Sequence, residues 1–282
     1  MKLTLFTSNQ PRHYSLMRDL ASVASEVYVV QECMTLFPGQ IPDFYAKSDV
    51  MQTYFRRVID AEREVFGPVS FTPSNVRTLA LKTGDLNYVP METLAPALSS
   101  DVYIVFGGSF IKPPLIDFLV EHRAINVHMG VSPYYRGAAC NFWAVYDGNA
   151  DMVGSTIHRL SHGLDSGDIL FHAMPARQAV DPFLLGMLAV RAAHRGLLEA
   201  IRSKQLFSYV PTPQDKSQEI RYTRTKEFTD AIALEYLNRN VNARDVGAMF
   251  ERAPARPLIR PYFDSTGESN EHTGQVRDRR AQ

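Results

Sequence analysis

Cysteine is scarce in this chain, with only Cys33 and Cys140 among 282 residues. Two thiols that far apart form neither a disulfide framework nor a metal-ligand spacing, so a reducing cytoplasm is the expected compartment. Net charge is lacking as well: 30 basic residues stand against 30 acidic ones, which argues against nucleic acid as the main partner. No run approaches the roughly 20 apolar residues of a membrane span. The opening, MKLTLFTSNQPRH, turns polar after Phe6 and has no signal-peptide core. Glycine-rich nucleotide motifs are missing too. Gly107-Gly108 has neither the third glycine of a dinucleotide fold nor the lysine of a P-loop. What remains is a cytosolic, membrane-free chain whose 45% hydrophobic and 21% charged residues suit a soluble protein.

Apolar periodicity alternates along the first half of the chain. Strands are expected at Lys2–Phe6, Glu26–Gln31, Val76–Leu81 and Asp101–Phe106, and a break at Pro38–Pro42. Helical spacing covers Tyr14–Ala24, Asp49–Phe66, Met91–Leu98 and Pro113–His122. Strands alternating with helices predict an α/β fold, a doubly wound and mostly parallel sheet. Further on, Asn141–Tyr146 reads as a short helix. Val153–Leu160 and Ile169–Met174 read as paired strands, and Asp181–Ser203 as a helix. The domain plan that follows is a catalytic domain over 1–209 and a Pro-rich linker over 210–218. A small helical module over 219–264 (helices at Arg221–Asn238 and Ala243–Arg252) and a polar, disordered tail over 265–282 complete it.

The chemistry gathers between Ile125 and Leu170. Asn126 and His128 sit two apart in a strand-like run, so both side chains leave one face. The following GVSPYYRG closes that strand with turn residues. Asp165 lies in a second loop, HGLDSGD, and can return a carboxylate to the histidine. An imidazole can move a proton near neutral pH, a carboxamide can donate to an oxyanion, and a carboxylate can orient the ring. No serine or cysteine stands beside them in a nucleophile-elbow context, which favours direct attack by a substrate group. His158 and His162 read as a strand residue and a polar loop residue, and Asp168 as a loop cap.

The blocks Asn126-Val-His128, Ser132-Pro133-Tyr134-Tyr135-Arg136-Gly137 and Gly163-Leu164-Asp165-Ser166-Gly167 together resemble the folate-dependent formyltransferase family. The resemblance spans the first two-thirds of the chain, and its wording is most like the branch acting on nucleotide-linked amino sugars such as GDP-perosamine. It implies a Rossmann-like formyltransferase fold and a co-substrate, 10-formyltetrahydrofolate, with no metal. It implies Asn126, His128 and Asp165 as the catalytic residues. It also implies a pterin slot walled by Tyr88, Val89, Phe106, Gly108 and Ile111, and acceptor contacts from Asn9, Arg12, Tyr135 and Arg136. The expected partner is a nucleotide-linked amino sugar, used in O-antigen synthesis, with a homodimer as the expected assembly. An enzyme like methionyl-tRNA formyltransferase, or a hydrolase releasing formate, stays open as an alternative.

Overall fold

The structure, a computed structural model, describes residues 1–34 and 48–265. The expected break at Pro38–Pro42 and nearly all of the expected tail lie outside the described residues. Strand β1 (Lys2–Thr7) is buried from Leu3 onward, as a strand covered on both faces must be. Helix α1 (Pro11–Ala21) starts with Pro11 at a position where its missing N–H costs nothing, three residues before the expected start. Leu16, Met17 and Leu20 form its buried face. The winding continues with β2 (Glu26–Cys33), α2 (Asp49–Phe66), β3 (Val76–Lys82), α3 (Met91–Leu94), β4 (Val102–Phe106), α4 (Leu115–Glu121) and β5 (Ile125–His128).

After β5 come β6 (Tyr135–Gly137), α5 (Cys140–Tyr146), β7 (Ser155–Arg159), β8 (Ile169–Met174) and α6 (Pro182–Arg202). The main sheet, among the described residues, has the order β10-β8-β7-β5-β4-β1-β2-β3, with β10 (Tyr262–Phe263) at its edge. Only β7 runs against its neighbours β5 and β8. The mostly parallel, doubly wound α/β sheet is therefore present. One face carries Leu3, Leu5, Val29 and Ile104 against α1 and α6. The other carries Phe6, Val30, Tyr103 and Val105 against α4. The chain winds outward from β1 through β2 to β3, then returns to the other side of β1 with β4. The carboxyl ends of β1 and β4 thus border the switch point, where open sheets leave a crevice.

The C-terminal part departs from expectation. In place of one helix over Arg221–Asn238, the chain forms β9 (Arg221–Thr223) and then α7 (Asp230–Arg239), whose first turn is capped by the Thr229 hydroxyl. Strand β9 pairs in parallel with β6, and Arg221 grips Asp147 through two bonds of 2.8 and 2.6 Å. That pairing outweighs the modest helix propensity of Arg-Tyr-Thr. Helix α8 (Ala243–Arg252) occurs as expected. The expected helical module over 219–264 is thus not separate: β10 joins the main sheet beside β8, and buried Asp264 holds Arg191 and Arg195 of α6. The expected linker is tied down as well. Thr212, between two prolines, exchanges backbone hydrogen bonds of 2.8 and 2.9 Å with Ile169.

Gly137 is the hinge of the β6–β9 pair. Its φ is +87°, and a Cβ there would collide with the Thr223 carbonyl oxygen. Gly137→Ala is expected to cost about 1–3 kcal/mol in backbone strain alone. Chemical denaturation should show a lowered midpoint, and an unchanged midpoint would contradict this account.

Candidate active site

Strand β5 places Asn126 and His128 on one face, and the antiparallel register sets His158 of β7 directly opposite Asn126. The loop after β7 returns Asp165, whose backbone turns through φ +46°. That turn is held from outside: Gln214 Nε2 donates to the carbonyl oxygens of Asp165 (2.9 Å) and Gly167 (2.8 Å). The three expected groups converge. His128 Nδ1 lies 3.3 Å from Asp165 Oδ1, and Asn126 Nδ2 donates to the same oxygen at 3.1 Å.

Protonation states follow from the partners. His158 Nδ1 faces the Arg159 carbonyl at 2.8 Å, so it carries the hydrogen and leaves Nε2 as an acceptor. Asn126 Nδ2 supplies the matching hydrogen at 3.0 Å. Burial, with the charge of His128 added, pushes His158 down to about 4, so this ring stays neutral. Both amide hydrogens of Asn126 are then engaged, one by His158 and one by Asp165. Turning the amide over would set its oxygen against a carboxylate. The expected oxyanion donor is, in this arrangement, a positioning residue for its two neighbours.

His128 is the charged ring of the pair. Burial alone would push its imidazole down, but the Asp165 carboxylate and then the Cys140 sulfur outweigh it and hold it well above the usual 6.5. Burial likewise works to raise Asp165. The His128 charge, aided by His158 and Arg136, overrides this and keeps the carboxyl below its usual 3.8. On the other side of the ring, Nε2 meets Cys140 Sγ at 3.5 Å. Such an ion pair can present a proton to a developing oxyanion or leaving nitrogen without waiting for solvent.

A cleft of about 460 Å³ opens over the pair at the switch point. Phe106, Gly108 and Ile111 line it, as do Asn126, His128, Asp165, Arg12 and Leu164. Its loop is anchored from below, because the buried Glu32 carboxylate accepts from Ser109 N (2.6 Å) and Gly84 N (2.7 Å). Other expected wall and contact residues lie elsewhere. Tyr88 is 82% exposed and Val89 packs half-buried under the loop, both outside the cleft. Asn9 is buried and pairs with the Met34 backbone at 2.9 and 3.0 Å. Tyr135 is fully buried, its hydroxyl bonded to Asn149 and Asp147. Arg136 is buried against Glu219 at 3.0 Å and reaches Asp165 only through its field. Bulky aromatic and cationic residues in the SPYYRG loop turn inward because β6 is capped by β9.

A second cleft, about 310 Å³, shares His128, Met129 and Arg12 with the first. Tyr54, Phe142, Phe183 and Tyr236 wall it, with Cys140 at its side. Arg12 is half-buried there, its Nη1 2.8 Å from buried Glu62. Sequence reasoning missed His158, Gln214 and Cys140 as members of this site. Only His158 left a signal, since an antiparallel strand after β5 must set some residue opposite Asn126.

The two histidines should titrate far apart. Because the folded value of His128 is raised, the stability it contributes is complete below 6.5 and disappears as pH rises through the raised value. Ring-resolved NMR titration should find His128 protonated past pH 6.5 and His158 neutral down to about 4. Asp165→Asn should bring the His128 transition down to 6.5 or lower, and a transition that does not move would refute the ion pair.

Residues 90–181, which include Asn126, His128 and Asp165, match the family model for formyl transferase. A methionyl-tRNA formyltransferase from Synechococcus sp. (strain JA-3-3Ab) is 34% identical over 126 residues, 43% of this chain and 38% of that protein. Another, from Pelotomaculum thermopropionicum, is 30% identical over 157 residues, 51% of this chain and 49% of that one. The chain therefore spans between two-fifths and half the length of these curated relatives. Among solved structures, a suggested sugar N-formyltransferase from Mycobacterium tuberculosis superposes with a TM-score of 0.51. It shares 19% identity and covers 81% of this chain and 77% of its own, a likeness of fold. The chain thus has the formyltransferase fold, and its central segment carries the formyl transferase signature.

Proposed function

We propose that this protein transfers a formyl group from 10-formyltetrahydrofolate to the primary amine of a nucleotide-linked amino sugar. The observation that carries the reading is the buried Asp165–His128 pair on the floor of the switch-point cleft, inside the segment matched as formyl transferase. The slot beside Phe106, Gly108 and Ile111 is narrow and largely apolar, which suits a flat pterin. The formyl carbon then lies near His128. As the amine attacks, His128 supports the negative oxygen and passes a proton to the departing N10 nitrogen. Asp165 keeps the imidazolium stable, and Asn126 with His158 keeps Asp165 in place.

The second cleft is suited to the acceptor. Its aromatic walls can stack a base or a sugar face, and Arg12 is the cation at its mouth that a phosphate would meet. GDP-perosamine is the first candidate within this class. Methionyl-tRNA is the second reading, favoured by the relatives' identity over the central segment. Against it, residues 219–264 fold onto the catalytic sheet rather than into a basic barrel.

A panel of nucleotide-linked amino sugars, set beside charged initiator tRNA, should separate the readings. Mass spectrometry is expected to show one formyl group gained on an amino sugar and none on the aminoacyl-tRNA. Formate release with no acceptor gain would instead make the protein a hydrolase. His128→Ala and Asp165→Ala should each lower kcat by about 10²–10⁴-fold, with circular dichroism unchanged. Near-normal kcat in either would remove the assignment.

A further inference from the structure

The reaction as drawn leaves one nucleophile unused. Cys140 begins α5, is 1% exposed, and its sulfur lies 3.5 Å from His128 Nε2 and 3.3 Å from the Gly137 carbonyl oxygen. The approach depends on Gly130. A Cβ there would stand 2.5 Å from Cys140 Cβ and 2.7 Å from His128 Nε2. Asp165 lies on the other nitrogen of the same ring, at 3.3 Å. Carboxylate, imidazole and thiol are thus placed in series, the arrangement in which a base with an orienting partner activates a thiol. A buried cysteine serving only as a small hydrophobe would meet apolar neighbours. This one meets the charged ring of the site, and it does so on the wall of the second cleft.

We propose that Cys140 is a catalytic nucleophile that takes the formyl group as a thioester before the acceptor amine receives it. The proposal rests on the formyl-transfer reading above. In the first step the Cys140 thiol gives its proton to His128 Nε2 and the sulfur attacks the formyl carbon. The S–C bond forms, the C–N10 bond breaks, and the imidazolium proton goes to N10, releasing tetrahydrofolate. In the second step the neutral amine attacks the thioester carbon. The C–N bond forms, the C–S bond breaks, and a proton from the amine returns through His128 to the sulfur. No electrons are gained or lost. The His128 ring, common to both clefts, serves the donor on one side and the acceptor on the other.

The test is a single turnover of the wild-type protein with 10-formyltetrahydrofolate and no amine, quenched in acid and read by peptide mass spectrometry. The Cys140 peptide should gain the mass of one CO, with one equivalent of tetrahydrofolate released per protein. Cys140→Ala should show neither, and with an amine present should lose at least about 10²-fold in kcat. A wild-type protein that formylates an amine while Cys140 stays unmodified with donor alone overturns the proposal, however the variant behaves. If the folate donor is not used at all, p-nitrophenyl formate replaces it. Formylation of Cys140 in wild type but not in His128→Ala would then uphold the thiol and reject only the folate reading. An unmodified Cys140 with both donors rejects the nucleophile.

Discussion

A carboxylate and an imidazolium, both withdrawn from water, hold each other in their charged forms at the centre of this molecule. Neither would remain ionised alone: burial opposes charge on His128 and on Asp165, and each reverses that for the other. The pair therefore requires its surroundings to be rigid. Asn126 fastens Asp165 from β5, and Gln214 fastens the backbone of its turn. His158 is kept neutral, so it can accept from Asn126 without adding a second positive charge beside His128. Removing one support would loosen a carboxylate that the imidazolium cannot do without.

The sheet explains why these groups meet. Parallel strands bring β1, β4 and β5 to a common end, and the reversal of winding between β1 and β4 opens the cleft there. The single reversed strand, β7, does something the parallel strands cannot. Its register sets His158 opposite Asn126, and its departing loop delivers Asp165 back to the ends of its neighbours. A parallel β7 would have sent that loop to the far edge of the sheet.

Much of this was legible in the residues. Continuous apolar strands and 3.6-residue helix spacing located β1 to β5 within a few positions, and the spacing of Asn126, His128 and Asp165 indicated the convergence. Two kinds of information were not local. The first is pairing: Arg221–Thr223 extends because β6 is beside it, and Pro211–Pro213 is ordered because Ile169 is. The second is direction. Tyr135 and Arg136 have the chemistry of ligand contacts, yet both point inward to Asn149, Asp147 and Glu219. Cys140 was hidden for a related reason, since its closeness to His128 depends on a glycine ten positions earlier in sequence, Gly130.

The bond from Gln214 to the Asp165 turn has a bearing on how this fold can be recombined. The proline-flanked stretch before it is where an engineer would cut to exchange the C-terminal part for another. Such a cut would carry away the amide that clamps the catalytic loop, along with the strand that completes β6. Successful grafts should therefore be joined after α6 only if the incoming segment restores a side-chain donor at that position.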